Sequence, residues 1–342
     1  MMSEPDKPRG RIPALDGFRG ATVAAMLLVN NPGTWSAIWW PLAHAEWHGW
    51  TPTDLIFPFF LFIVGITTEL SRKEPKGILR RGFLIIGCGL LLHLFPYFRF
   101  DTLRVMGVLQ RIGIVYILAA LIAWNASRRT IVLMTLAILF GYWAVLAQGP
   151  LEPGPATIAA QVDRALIPEA HLWKQAKTWD PEGPLSTIPA VATALLGVLA
   201  TGWVREQNVK LLTIAGLLGI AAGSAWGLVF PINKSLWTSS YVVFTAGWAC
   251  VILALWIRFL PARPFSVFGV NALIAFVGSG AMARMLGVVK VDGVSLQALS
   301  YRTFFKPYFE PQLASFLWAL SFVLLWYGIL WVLDRRGIRL KV

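Results

Sequence analysis

The stretch HAEWHGWTPTDLIFPFFLFIVG occupies residues 44–65 and decides how the chain folds. Its first part holds two histidines, a glutamate and an aspartate, in a sequence that is otherwise poor in charge. Its second part is apolar, and another long apolar run lies upstream at residues 15–31. Ionisable groups beside membrane-spanning segments are costly to place, so such a cluster indicates a functional site at the end of a membrane bundle.

Composition places the chain among integral membrane proteins. The 342 residues are 57% hydrophobic and only 14% charged, and apolar runs repeatedly approach the roughly 20 residues that span a bilayer. The sequence predicts an all-α, polytopic transmembrane bundle of about ten spans, forming a single domain over residues 1–342. The predicted helices are 15–31, 53–71, 79–96, 105–124, 131–147, 186–204, 211–229, 238–257, 266–286 and 312–333.

Charge indicates the orientation. The formal net charge is +13, but the basic residues are spread through short loops, where they indicate topology and contact with membrane lipid rather than with nucleic acid. One alternate set of loops, together with both tails, holds roughly twice as many Lys and Arg as the other, which predicts cytoplasmic termini. The His44 stretch then faces the opposite side, as does the 148–185 loop, which is expected to form an ordered lid or plug.

His44 is the leading candidate for a catalytic base, because an imidazole can take a proton from an amine or a hydroxyl near neutral pH. Asp54, ten residues later, either orients that imidazole or caps the second helix, and both interpretations stay open. The spacing of His44, Glu46 and His48 is not a usual helical ligand pattern, so we expect no metal.

Charged side chains also fall within or near predicted spans. Arg19 lies three residues after Asp16 on the first helix, so the two either form an interfacial ion pair or help to hold an anionic ligand. Gln110 and Arg111 lie several residues inside the fourth helix. A buried Arg111 needs a partner, either a carboxylate such as Asp16 or Asp54, or a ligand phosphate.

Amides and loop acids complete the set of candidates. Asn30 and Asn31 end the first helix and indicate a polar pocket facing the His44 loop. Asn271 forms either a helix–helix hydrogen bond or a ligand contact. Asp180 and Glu182 precede a helix, where they either cap it or form the edge of a glycan-binding site.

The order of these motifs resembles that of a known family, the heparan-α-glucosaminide N-acetyltransferase family of transmembrane acetyltransferases. The first motif alone is weak, because other membrane acyltransferases begin similarly, but the ordered set covers most of the chain up to about residue 275. The matching blocks are LDGFRG (15–20), VN (29–30), the His44 stretch, GVLQRIGIVY (107–116), HLW (171–173), DPEGPLSTIPA (180–190), PINKSLWTSSYV (231–242) and GVNAL (269–273).

The resemblance implies ten or eleven spans and transfer of acetyl from cytosolic acetyl-CoA to the amine of a glucosamine-type sugar across the membrane. It makes His44 the catalytic histidine, with Asn30 and Asp54 beside it, and leaves open whether the acetyl group passes directly or through the histidine. The family's W-N-G is Trp47-His48-Gly49 here. We expect the donor to be held by Arg19, Gln110, Arg111 and Asn271, and the sugar by Glu46, His48, His171, Asp180 and Glu182.

The resemblance also implies where the protein acts and with what partner. Animal members have a long luminal domain before the first helix, and its absence here predicts a bacterial inner-membrane protein; a homodimer is a further expectation. Two other functions stay open at this point. One is an O-acyltransferase that modifies a surface glycan, and the other is a transporter of amino sugars or oligosaccharides.

Overall fold

The computed structural model describes residues 12–339, in which α-helices form nearly all of the regular structure. Nine of the ten predicted apolar runs form one helix each, and the tenth forms two, because a helix satisfies its own backbone hydrogen bonds where no water is available. The helices of this part of the chain are α1 (Pro13–Asn30), α2 (Ile56–Ser71), α3 (Pro75–Leu94), α4 (Val108–Asn125), α5 (Arg128–Leu146), α6 (Ile158–Leu166), α7 (Pro184–Arg205), α8 (Val209–Gly227), α9 (Ser239–Arg258), α10 (Ser266–Val270), α11 (Ala272–Val288), α12 (Leu296–Phe304) and α13 (Pro311–Arg335).

The structure corrects the predicted elements in two places. The single helix predicted at 266–286 is wrong, because Asn271 leaves helical geometry and divides it into α10 and α11. Two short antiparallel strands, Lys290–Val291 and Val294–Ser295, also depart from a purely helical chain. The 148–185 loop contains α6 and a short 3-10 turn, and its role as a lid or plug stays a prediction.

Eight helices in residues 12–339 are long and apolar enough to cross a membrane: α2 with its leading turn, α3, α4, α5, α7, α8, α9 and α13. Helix α1, which carries Asp16 and Arg19, falls outside that set, and α11 is shorter. The chain is therefore a multi-pass helical membrane protein, while a count of ten spans stays a prediction. The predicted cytoplasmic ends, residues 1–11 and 340–342, lie outside the described residues.

Helices α2, α7 and α9 form the interior of the bundle, since most of their length is buried. By contrast, at most 28% of the spanning window of α3, α5, α8 and α13 is buried. Large apolar side chains such as Phe83, Leu133 and Leu218 are exposed on these outer helices. An outward apolar surface of this extent is unfavourable in water and suits the hydrocarbon of a bilayer.

Helices α2 and α7 cross at unusually short range. A Cβ atom added to Gly65 of α2 would overlap the carbonyl oxygen of Ala194, and one added to Gly197 of α7 would overlap that of Phe62. Small residues at such a crossing let two backbones approach in a membrane. The crossing thereby fixes the middle of α2 against α7.

We expect Gly65→Ala to destabilise the bundle, because its methyl group would force α2 and α7 apart at a cost of about 1–3 kcal/mol. The apparent unfolding temperature in detergent should fall by several degrees. Gly87→Ala in α3 is the matched control, since its Cβ meets no neighbour. Equal unfolding temperatures for the two variants would contradict the close packing.

Candidate active site

His44 lies in the connection between α1 and α2, and the Asp54 carboxylate contacts one nitrogen of its ring. Its Nδ1 is 2.7 Å from Oδ1 of Asp54, whose side chain is 1% exposed. An ionised carboxylate only accepts hydrogen bonds, so Nδ1 carries the hydrogen and Nε2 keeps its lone pair. With 46% of the side chain exposed, His44 has the tautomer and the access that a general base requires.

Asp54 also holds the loop that carries His44. Its second oxygen, Oδ2, accepts hydrogen bonds from the backbone N–H of Ala45 at 3.0 Å, the backbone N–H of Thr51 at 3.0 Å and the Thr51 hydroxyl at 3.1 Å. The two interpretations left open by the sequence therefore coexist in the geometry. One carboxylate oxygen contacts the imidazole and the other caps the turn Pro52–Leu55 that leads into α2.

Lys234, in the loop between α8 and α9, was not among the predicted site residues. Its Nζ lies 3.0 Å from Nδ1 and 3.1 Å from Nε2 of His44, and 3.6 Å from Oδ1 of Asp54. Burial lowers the pKa of Lys234, while the charges of Asp54 and Glu182 act in the opposite direction. The signal in the sequence was its place in the PINKSLW block. A lysine in a loop is common, however, so only the fold shows that it contacts His44.

Asn233 positions that lysine by fixing the loop around it. Its side-chain Nδ2 donates to the carbonyl oxygen of Trp47 at 3.0 Å, and its Oδ1 accepts from the backbone N–H of Leu236 at 2.8 Å. The second contact lies within the loop, whereas the first joins the loop to the α1–α2 connection that carries His44. Asn233 is fully buried. The loop therefore presents Lys234 in a fixed direction.

A cavity of about 550 Å³, here called the histidine cavity, lies beside these groups. Four tryptophans line it: Trp47, Trp173, Trp179 and Trp237. Trp179 meets Trp47 edge-to-face with ring centroids 5.2 Å apart, and meets Trp173 in the same way at 5.5 Å. Aromatic surface next to a few polar groups is typical of a site for an amphipathic small molecule. Its polar lining residues are Asn30, His44, Glu46, Thr53, Asp54, Arg104, Glu182, Lys234 and Ser235.

Arg104 fixes the acidic segment next to that cavity. Its Nε is 2.8 Å from Oδ2 of Asp180, and one terminal nitrogen is 2.5 Å from Oδ1 of Asp180 and 2.5 Å from Oε2 of Glu182. Burial lowers the pKa of Arg104, but the two carboxylates more than compensate and hold it above its ordinary value. Asp180 is thus engaged with Arg104 and lies outside the cavity wall, whereas Glu182 is part of that wall.

Arg111 is fully buried, and of the alternatives left open by the sequence, a pairing with Asp16 or Asp54 does not form, because neither is among its hydrogen-bond partners. It donates instead to the carbonyl oxygen of Pro181 at 2.8 Å and to the hydroxyl of Ser186, with its guanidinium 4.9 Å from the ring centroid of Trp237. The buried cation is stabilised by oxygen acceptors and an aromatic face, which fasten the start of α7.

Two further cavities continue from the histidine cavity along the bundle. The middle cavity, of about 380 Å³, is lined by Asn30, His93 and Gln110 among others. The basic cavity, of about 410 Å³, is lined by Arg19, Lys73, Arg81 and Tyr116 among others. Met26 and Phe276 line all three, so the cavities form a series from the Arg19 end to His44.

Five predicted ligand residues line none of these three cavities. They are Arg111 and Asp180, described above, and Asn271, His171 and His48. Asn271 occupies the N-cap position of α11 without a side-chain cap hydrogen bond, and its side chain donates to the carbonyl oxygen of Ile338 at 3.3 Å, as a residue joining helices would. His171 bonds through Nδ1 to the carbonyl oxygen of Leu103 at 2.7 Å. His48 lies beside Asn233, with Nε2 3.4 Å from Glu152, so His48 and His44 face different partners.

Comparison with known proteins gives one family. The family model described as "Heparan-alpha-glucosaminide N-acetyltransferase, catalytic" matches residues 11–215, which include His44 and Asp54 but end before Lys234. The chain is similar to the heparan-alpha-glucosaminide N-acetyltransferase of Mus musculus, with 28% identity over 78% of this chain and 53% of the relative. The Homo sapiens protein of that name is 27% identical over 78% and 52%, respectively. The chain thus spans about half the length of these curated relatives.

Asp163 of α6 makes the segment beside the site sensitive to pH. Burial raises its pKa to about 6, although its Oδ2 accepts a 2.9 Å hydrogen bond from the backbone N–H of Asp180. A folded pKa above the ordinary 3.8 means that the folded state binds the proton more tightly than the unfolded state. This contribution to stability is therefore present at low pH and is lost as the pH rises through about 4 to 6.

We expect Asp163→Asn to match wild type in stability near pH 4 and to exceed it near pH 7.5, by up to about 3 kcal/mol. Unfolding temperatures at the two pH values measure the effect. Asp101→Asn, at an exposed acid of a neighbouring loop, is the control and should show no such pH-dependent gain. A variant less stable than wild type at both pH values would contradict the assignment.

Proposed function

Because the chain belongs to the heparan-alpha-glucosaminide N-acetyltransferase catalytic family, we propose that it transfers acetyl from acetyl-CoA to the amine of a glucosamine-type sugar. The observation that carries this proposal is the position of His44. Its Nδ1 is bound to Asp54, its Nε2 keeps a lone pair, and its ring lines a cavity walled by tryptophan and carboxylate side chains. These are the parts that base-assisted attack of a sugar amine needs.

The basic cavity suits the phosphates of the donor. Arg19, Lys73 and Arg81 line it together. Burial lowers the pKa of Lys73, and the charges of Arg81 and Arg80 lower it further, which is the sign of crowded cations that a bound anion would relieve.

The middle cavity suits the uncharged arm of the same donor. Gln110 is 2% exposed, and its Oε1 has no hydrogen-bond partner among the described residues. A buried acceptor of this kind favours a ligand that brings an N–H group, as the amides of a pantetheine arm would. Met26 and Phe276 provide the apolar contact for its methylene groups.

The proposed reaction uses His44 as the base. The amine nitrogen attacks the thioester carbonyl carbon while Nε2 takes its proton; the C–N bond forms, the C–S bond breaks, and the proton passes from Nε2 to the departing sulfur. Asp54 steadies the imidazolium, and the Asn30 amide, which lines both the middle and the histidine cavities, holds the carbonyl oxygen.

The same proposal assigns the two sides of the membrane. The donor would enter from the cytoplasm at the basic cavity, and the sugar would arrive from the opposite side at the histidine cavity, in a bacterial inner membrane with both termini cytoplasmic. Support comes from the excess of basic residues in the loops of one side and from the series of cavities between the two ends. A shielded route of this kind is needed because a polyanion does not cross lipid unaided.

We expect purified protein to transfer label from acetyl-CoA to glucosamine, and His44→Ala to lose at least about 100-fold in rate, since the base is removed. His171→Ala, which alters a histidine outside the cavities, should retain transfer. Thermal stabilisation by acetyl-CoA shows that each variant is folded. A His44→Ala enzyme within a few-fold of wild type would overturn the role of His44.

The same assay with a hydroxyl-only analogue of glucosamine separates amine from hydroxyl transfer. Labelling of the analogue at the rate of glucosamine would contradict the amine assignment. If no amino sugar is acetylated and acetyl-CoA does not raise thermal stability, the enzyme proposal fails and sugar uptake into vesicles becomes the measurement of interest.

We expect Trp179→Ala to raise the KM for the amino sugar about 10-fold, because a sugar ring packed on this wall would lose about 1.4 kcal/mol of contact. The KM for acetyl-CoA should not change, since Trp179 lies at the opposite end of the cavity series from Arg19. Trp35→Ala, at an exposed tryptophan of the α1–α2 connection that lines none of the three cavities, is the control. A rise in the KM for acetyl-CoA alone would contradict an acceptor site here.

A further inference from the structure

The contact between Lys234 and His44 has an unusual geometry. The ammonium nitrogen lies 3.0 Å from one ring nitrogen and 3.1 Å from the other. The in-plane directions of the two ring nitrogens diverge, and Nδ1 is already directed at Asp54. Because the two distances are nearly equal, the ammonium is not directed at one nitrogen as a hydrogen-bond donor would be. It acts on the imidazole mainly through its positive charge.

Asp54 by itself would favour a protonated His44. Its carboxylate is almost fully buried and lies 2.7 Å from Nδ1, and a buried anion at that distance stabilises an imidazolium. A general base must be unprotonated when the substrate amine arrives. A cation at 3.0 Å from the ring acts in the opposite direction, because it repels the second positive charge.

The other charges around His44 do not replace Lys234 in this role. Glu46 and Glu182 line the same cavity and are negative, so they favour the imidazolium. Arg104 lines the cavity but is paired with Asp180 and Glu182, and Arg111 is turned toward the start of α7. Among the described cations, Lys234 is the one within hydrogen-bonding range of the imidazole.

We propose that the ammonium of Lys234 is a positioning charge that opposes Asp54 and disfavours protonation of the His44 imidazole. The catalytic meaning of this inference rests on the proposed function, in which His44 is the base. The charge balance itself does not, because it is a property of His44, Asp54 and Lys234 alone. It predicts that loss of the lysine charge makes His44 easier to protonate.

The test measures the protonation of His44 without using acetyl transfer. Diethylpyrocarbonate reacts with neutral imidazole and not with imidazolium, and peptide mass spectrometry reports the extent of reaction separately at His44, His48 and His171. Initial rates are measured from pH 5 to 8.5 for wild type, Lys234→Met and Lys234→Arg. The Met variant removes the charge at similar length, and the Arg variant keeps it.

We expect the pH midpoint of His44 modification to rise by at least about one unit in Lys234→Met and to stay near wild type in Lys234→Arg. The midpoint of His171 should not move in either variant. Lys174→Met, at an exposed lysine of the 148–185 loop, is the matched control and should leave His44 unchanged. Thermal unfolding shows that the variants are folded.

An unchanged or lower His44 midpoint in folded Lys234→Met would overturn the inference, as would an equal shift in Lys234→Met and Lys234→Arg. Failure of the protein to acetylate any sugar would instead count against the proposed function. The inference about Lys234 would still be decided by the His44 midpoints. If transfer is observed, the acid limb of kcat/KM should move with the His44 midpoint in Lys234→Met.

Discussion

The buried carboxylate of Asp54 is the interaction on which the rest of the site depends. A carboxylate at the start of a membrane-spanning helix is costly unless each oxygen is hydrogen-bonded. Here Oδ2 binds the backbone N–H groups of Ala45 and Thr51, and Oδ1 binds His44. The Asp54 carbonyl oxygen also accepts a hydrogen bond from the hydroxyl of Tyr241. One residue thus closes the His44 loop, begins α2 and joins both to α9.

Two arginines stabilise the segment facing that loop, and they do so by different chemistry. Arg104 binds two carboxylates, so it neutralises charge as well as satisfying hydrogen bonds. Arg111 donates hydrogen bonds to carbonyl and hydroxyl oxygens and packs on the face of Trp237. These contacts stabilise the cation without a direct carboxylate partner. The result is a fixed wall opposite His44, carrying Glu182 toward the cavity.

Interior helices pack closely at some points along their length and leave space between them at others, where the three cavities lie. The glycine crossing at Gly65 holds α2 and α7 together, while polar side chains such as Asn30 and Gln110 face space between α1, α4 and α11. Irregular or polar groups at membrane depth are tolerated where they line a cavity shielded by protein. A route for a long polar donor is therefore compatible with an apolar exterior.

The sequence alone determined which segments form helices and which side chains close together along the chain can interact. Apolar runs of spanning length have few other stable conformations in a bilayer, so nine of the ten predicted runs each form one helix, and the 266–286 run forms two. His44 and Asp54 are separated by a short turn, so their meeting was predictable as one of two alternatives. Asn30 and Glu182, which the sequence singles out, line the histidine cavity, and their roles stay proposals.

Tertiary structure decided everything that depends on contact between distant helices. Lys234 is 190 residues from His44 along the chain, and no local pattern distinguishes it from other loop lysines. The partners of Arg111 and the break at Asn271 were likewise set by neighbouring segments. Helix formation is governed by local hydrogen bonding and hydropathy, whereas the partner of a buried charge is whichever group packing brings within reach.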